Sequence, residues 1–324
     1  MRQLGPFSVL ILWAALCVGA GFYGFRLGYG GRGFAATLAA FAYFLAVALL
    51  FAAKGASDSF HSRLGFRGGA ILGITTCLAY CIYSFGTHTF APERAVAVAG
   101  LVFTALSLAA SAKEKVPGAW QDWFILLGLW VFVKFSPGHW IWSYPNGHLA
   151  YVLTVLLAVN MALASLVLVR RLDGIGYFIG WGPRWGFYVL ASFMVFAGIA
   201  IPLGVGIRFI TFAPHWMNWR TLPSVAIAIF LFTAWPEEFL FRGLLQNLIS
   251  RAWKNDRVGW MTTSLLFGLS HITNGRFPNW RYVILASIAG LFYGWTWRRS
   301  GSIFASALVH TTVNTTWRFF FRTL

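Results

Sequence analysis

This sequence is poor in carboxylates. Its 324 residues include 8 Asp and Glu against 25 Lys and Arg, and charged residues of both signs make up 10% of the chain. A soluble domain carries about a quarter of its residues charged. With 59% of the chain hydrophobic, an ordinary water-soluble fold is excluded. Cysteine is scarce as well: Cys17, Cys77 and Cys81 all lie in apolar runs, so no disulfide framework is implied. Cys77 and Cys81 share a helix face, but no second ligand pair accompanies them. Three familiar hydrolase signatures are missing: Gly-x-Ser-x-Gly, His-Glu-x-x-His and the Gly-Asp pair of intramembrane aspartyl enzymes.

What the chain has in abundance is apolar runs of membrane-crossing length, about 17–25 residues each. Eleven candidate spans follow: 6–25, 34–53, 69–86, 94–112, 119–136, 149–169, 184–206, 222–249, 258–273, 279–297 and 302–321. The expected fold is an all-α, polytopic transmembrane bundle of about 10–11 spans. The fifth run has a short core bracketed by Asp122 and Lys134, and 139–148 reads as an interfacial loop or re-entrant turn. Residues 2–24 resemble a signal peptide, but spans follow throughout, so an uncleaved first span is expected.

The formal charge of +17 would suggest nucleic acid in a soluble protein. Here Lys and Arg sit in short connectors between apolar runs, as membrane topology requires, and no nucleic-acid partner is expected. Summed over alternate connectors, fourteen cations share the side of the N-terminus and ten lie opposite. The positive-inside rule then places the N-terminus in the cytoplasm. The 17 Trp, many near run ends, fit interfacial belts. The clearest internal boundary is Arg170-Arg171-Leu-Asp173-Gly-Ile-Gly176. It separates a membrane region of unknown role, 1–170, from a core, 180–322, that holds the intramembrane groups able to do chemistry.

Six of the eight carboxylates (Asp58, Glu93, Glu114, Asp122, Asp173 and Asp256) fall in or near polar connectors. Glu237 and Glu238 instead stand side by side inside the apolar run 222–248. A carboxylate in hydrocarbon costs roughly 2.5 kcal/mol or more and is read as functional by default. In Glu237-Glu238-x-x-x-Arg242, positions 238 and 242 stack at i,i+4 on one helical face, while Glu237 projects about a third of a turn away. One carboxylate can pair with the only cation of the run and the other stays available. A structural ion pair between helices explains Glu238 and Arg242 but not Glu237. Pro236 removes a helix hydrogen bond just before the pair.

Two further i,i+4 pairs follow on later spans: Phe267-x-x-x-His271 and His310-x-x-x-Asn314. Taken singly, His271 is an interfacial histidine and His310 with Asn314 an interhelical hydrogen bond. Taken together, a carboxylate pair, two imidazoles and an amide on separate spans can form one polar cluster. A carboxylate can act there as general base on water, assisted by an imidazole. A second His and an amide can donate to an oxyanion.

Glu-Glu-x-x-x-Arg, Phe-x-x-x-His and His-x-x-x-Asn, in this order on separate membrane helices, resemble the CAAX-protease-and-bacteriocin-processing family. Its members include type II CAAX prenyl endopeptidases and their bacterial relatives. Phe239-Leu-Phe-Arg-Gly-Leu-Leu245 and Gly301-Ser-Ile-Phe-Ala-Ser306 add context. The likeness covers roughly 180–322; residues 1–170 match nothing nameable. It implies an intramembrane endopeptidase with Glu237 as water-activating base, His271 as its partner, His310 and Asn314 at the oxyanion, and Glu238 with Arg242 positioning the site. Its expected partners are the lipid bilayer and a membrane-anchored peptide or protein substrate, CAAX-like or leader-type. No cofactor is favoured. Zinc on Glu237, His271 and His310 is the alternative, since two His and a Glu can hold a catalytic zinc, but the spacings differ from common zinc-peptidase motifs. Two other readings stand beside the protease. One is a non-catalytic binding or immunity protein of the same fold. The other is a proton-coupled transporter, against which the chain shows no repeated halves.

Overall fold

A computed structural model describes every residue except Met1, Gly65, 113–116, 136–137, 146–147 and His215. The chain is all-α: about four fifths of it is helical, and sheet is confined to short two-stranded ribbons. Each of the eleven apolar runs forms a helix. Among the described residues, seven helices are both long and apolar enough to cross a membrane. The other four are Trp120–Phe135, Asp256–Leu269, Trp280–Ser300 and Ile303–Phe320. The first two of these, at 16 and 14 residues, are short, and the last two carry polar side chains along their length.

Two compact units emerge, Gln3–Asp173 and Gly174–Leu324, the latter with Arg2. In the first, the buried hub is Leu149–Val169, whose last turns, Leu163–Val169, are π-helical. Around it lie Gly31–Phe51, Phe66–Gly86, Pro92–Ser111 and Trp120–Phe135. An aromatic cluster fills one region: Trp142 packs edge-on against Tyr83 (4.9 Å), Tyr80 (5.5 Å) and Phe44 (5.9 Å). Pro6–Arg26, by contrast, exposes Phe7, Leu10, Ile11, Val18 and Phe22, a surface suited to hydrocarbon rather than water. Ala56–Leu64 is a short helix that the apolar pattern did not reveal, because it is polar and amphipathic. The expected loop 139–148 contains a helical turn, Gly138–Ile141, and the described part returns through Ser143 and Tyr144; Asn146 and Gly147 lie outside the described residues.

Asp122 lies near a connector, in the first turn of Trp120–Phe135, as its position at the edge of the fifth run implied, but it is fully buried. Arg170 grips it with two prongs, Nε to Oδ1 at 2.6 Å and Nη2 to Oδ2 at 3.0 Å, and the Gly118 amide donates to Oδ2 at 3.0 Å. A fork matched to a carboxylate is the geometry that lets a charge pair survive burial.

The second unit opens with Trp185–Gly206 and then a rod, Trp219–Ala252, of 34 residues. At 1.5 Å per residue it is about 50 Å long, and the glutamate pair falls near its middle. Short connectors then lead to Asp256–Leu269, Trp280–Ser300 and Ile303–Phe320. Side chains cap these three helices. Asn255 accepts from the amides of Arg257 and Val258, Asn279 from Tyr282, and Ser302 from Phe304. Gly301, at φ 67°, ends the helix before Ser302 in the left-handed conformation that glycine adopts without strain. Asp256–Leu269 and Trp280–Ser300 approach closely through glycine: a Cβ on Gly290 would come within 3.0 Å of the Ser264 backbone. That approach brings the Gly290 carbonyl to the site.

Candidate active site

The glutamates sit on a rod that is not a uniform α-helix. Pro236 has no N–H to donate, and the backbone on either side takes wide π turns, Phe230–Ala234 before the Trp235–Glu238 turn and Phe239–Gln246 after it. The broken spacing still leaves Glu238 and Arg242 stacked: Arg242 Nη1 donates to Glu238 Oε1 at 3.1 Å, both side chains fully buried. Arg242 Nη2 donates to the Gly290 carbonyl at 3.1 Å. Its Nε finds no hydrogen-bond acceptor, but the guanidinium lies 4.5 Å from the Phe267 ring centre and 5.3 Å from that of Tyr293. Two aromatic faces thus stand in for part of the missing solvation.

Glu238 is saturated. Besides Arg242, it accepts from Ser306 Oγ on Oε2 and faces His310 Nδ1 at 2.9 Å on Oε1. Ser306 also lies 2.9 Å from the Tyr293 carbonyl, so its single proton is shared between two acceptors. His310 is sandwiched: the Tyr293 ring stacks on it at 4.6 Å and 18°, and Phe267 meets it edge-on at 5.8 Å. Held at Nδ1 and on one face, the imidazole turns Nε2 towards Glu237, whose Oε2 is 3.9 Å away.

Glu237 is the opposite of its neighbour. Its Oε2 is buried and makes no hydrogen bond among the described residues, yet the side chain as a whole keeps 28% of its surface exposed. An accessible carboxylate with an uncommitted oxygen beside a fixed imidazole is a proton acceptor in search of a proton.

His271 lies just beyond Asp256–Leu269, in the turn that ends the helix. Its Nδ1 is 2.7 Å from the Phe267 carbonyl, a contact that a protonated Nδ1 satisfies, which puts the basic lone pair on Nε2. The ring packs against Phe267 and Tyr282, both at 4.8 Å. Phe267 therefore touches three of the expected groups, Arg242, His271 and His310, and holds them apart at fixed spacing. Asn314 falls one turn after His310 on Ile303–Phe320, half-buried, and its amide makes no hydrogen bond among the described residues.

Glu237, Glu238, Arg242 and His310 are thus brought into one contiguous group, with His271 joined through Phe267 and Asn314 a turn away. Tyr293 was not read from the sequence, and Ser306 entered only as the end of a context segment with no role of its own. A tyrosine in an apolar run looks like core packing; only the fold shows what the two touch. Among the described residues no three His, Cys, Asp or Glu side chains converge as metal ligands do. Nδ1 of His310 faces Glu238 and Nδ1 of His271 faces the Phe267 carbonyl, so Nε2 is the nitrogen that each ring keeps for other contacts. No step below passes through a metal.

Comparison with known proteins agrees with the part of the chain in which this group lies. Residues 218–316 match the family model described as type II CAAX prenyl endopeptidase Rce1-like. No curated protein and no solved structure matches the chain.

Proposed function

We propose that this multi-pass membrane protein, whose residues 218–316 match the type II CAAX prenyl endopeptidase Rce1-like family model, is an intramembrane endopeptidase that hydrolyses a peptide bond of a membrane-anchored substrate by glutamate- and histidine-activated water. The observation that carries this reading is the contrast between adjacent carboxylates: Glu238 spends every oxygen on Arg242, His310 and Ser306, while Glu237 keeps an oxygen uncommitted.

Glu237 takes a proton from water as the oxygen adds to the scissile carbonyl carbon, with His271 Nε2 orienting that water. Negative charge then collects on the former carbonyl oxygen. His310, held through Nδ1 against Glu238, turns Nε2 to this oxyanion as a donor, and the Asn314 amide supplies the second donor. When the tetrahedral carbon collapses, the C–N bond breaks and Glu237 returns its proton to the leaving amine. Arg242 and Ser306 keep Glu238 from swinging away from His310. The surrounding apolar helices exclude bulk water, which strengthens each of these interactions. On this reading the N-terminus is cytoplasmic, as the distribution of cations suggests.

The test is cleavage by purified protein of a panel of prenylated tetrapeptide-tailed and leader-type peptides, with wild type compared with Glu237→Gln in the presence and absence of chelator. Cleavage that the mutant loses and the chelator spares establishes the glutamate mechanism. Activity retained by folded Glu237→Gln protein ends it.

A further inference from the structure

Charge is distributed unevenly over the unit Gly174–Leu324. Its carboxylates are Glu237, Glu238 and Asp256. One end carries Arg184, Arg251, Lys254, Arg257, Arg298 and Arg299 together with Asp256. The other carries Arg208, Arg220, Arg276, Arg281, Arg318 and Arg322 and no acidic residue at all. All six of these arginines are exposed. Contacts bring this second end together. Arg281 Nη1 donates to the Arg208 carbonyl at 3.2 Å, and Phe209 packs against Tyr282 at 5.4 Å and Trp317 at 5.3 Å. Tyr282 in turn packs on His271. The uncompensated arginines therefore rim the end at which the site histidine lies.

The same end holds a β-ribbon. Ile210–Phe212 pairs antiparallel with Phe321–Thr323, with Thr211 opposite Arg322. Ala213 N–H to the Phe320 carbonyl and Leu324 N–H to the Phe209 carbonyl fix the phase of the ladder. In that phase the backbone of Arg322 faces the partner strand, while the Phe321 carbonyl and both polar groups of Thr323 face outward. No backbone group among the described residues bonds to them. Arg322 and Thr323 are exposed. An open strand edge is a template for an added strand.

We infer that this end is a docking surface for an extended acidic peptide segment. Its backbone adds to the outer edge of Phe321–Thr323, and its carboxylates lie against Arg208, Arg318 and Arg322. Strand addition supplies affinity through main-chain hydrogen bonds, and arginine forks suit carboxylates. An anionic lipid headgroup would use the arginines but has no use for a strand edge, which is why the peptide is favoured. The inference deepens the protease reading by giving its substrate a chemistry, acidic beside the scissile bond, but it stands on binding rather than on catalysis.

The test therefore uses full-length Glu237→Gln protein in nanodiscs of phosphatidylcholine, so that binding is read whether or not the enzyme cleaves anything. The probes are two fluorescent peptides with one apolar membrane-inserting core, flanked by a short run of glutamates or of lysines. The expected result is about tenfold tighter binding of the glutamate probe, shrinking as salt is added. Adding Arg318→Gln and Arg322→Gln removes the preference; adding Arg298→Gln and Arg299→Gln at the opposite end leaves it. Backbone N-methylation of the glutamate flank weakens binding in the parent protein, a readout that needs no further variant to fold. Equal binding of the two probes overturns the inference, as does indifference to N-methylation. Retention of phosphatidylglycerol through Arg318 and Arg322 without a glutamate preference overturns it in favour of a lipid site.

Discussion

Each half of the chain buries an arginine against a carboxylate, and the two halves use the pair differently. Asp122 and Arg170 close on one another: both carboxylate oxygens and two guanidinium nitrogens are engaged, and a backbone amide completes the set. Glu238 and Arg242 share a single bond of 3.1 Å, and each reaches onward, Arg242 to the Gly290 carbonyl and two aromatic faces, Glu238 to His310 and Ser306. The first pair locks two side chains face to face. The second is the base of a network whose outer member is an uncommitted Glu237 oxygen. A buried ion pair therefore says little about function; what matters is whether it positions something that remains unsatisfied.

Breaking the contrast at its sharpest point should give the largest effect. Glu237→Gln removes the base, and turnover should fall by about 10²–10⁴-fold with little change in thermal unfolding, because Glu237 supports no hydrogen bond that folding relies on. Comparable activity in the mutant would erase the distinction between the two carboxylates.

Next come the pairs themselves. Removing one partner of a buried pair costs about 3–5 kcal/mol, so Asp122→Asn should destabilise the protein in denaturant unfolding while leaving the specific activity of the folded fraction unchanged. Replacing both partners, Asp122→Leu with Arg170→Met, should recover most of that loss. The equivalent apolar double replacement of Glu238 and Arg242 should yield folded but inactive protein. Recovery of activity there would mean that the second pair is as purely structural as the first.

Smaller effects should follow outward along the network. Ser306→Ala leaves Glu238 one donor short, a loss of about 1–3 kcal/mol divided between stability and kcat. It should alter the pH profile of kcat, which a purely structural serine would not. Tyr293→Phe keeps the ring stacked on His310 and should change kcat by no more than about twofold, whereas Tyr293→Leu removes the stack, worth about 0.5–1.5 kcal/mol. Steady-state kinetics of the two variants separate the ring from its hydroxyl.

Much of this was legible in the residues. Apolar runs of the right length announce helices whatever packs around them, and each of the eleven runs is one. The rarity of carboxylates in hydrocarbon drew attention to Glu237 and Glu238, and the i,i+4 rule paired Glu238 with Arg242 without any tertiary information. The burial of Asp122 was not legible because a position near the start of a run looks the same whether the residue faces solvent or a buried arginine 48 positions away. Ala56–Leu64 escaped because hydropathy registers apolar helices and not polar ones.

The sequence alone determined the solvent for the fold, the helical class, and the residue types available for chemistry, since these depend on local composition and on the constant geometry of the helix. The tertiary structure decided how fully Glu238 is spent and what Glu237 faces. Glu237 and Glu238 are chemically identical and adjacent; helix spacing pairs Glu238 with Arg242, and only helix packing adds Ser306 and His310 around that same carboxylate and stacks Tyr293 on the histidine. Hydrogen bonds and ring contacts act over a few ångströms in space, so their assignment among residues distant along the chain belongs to the fold.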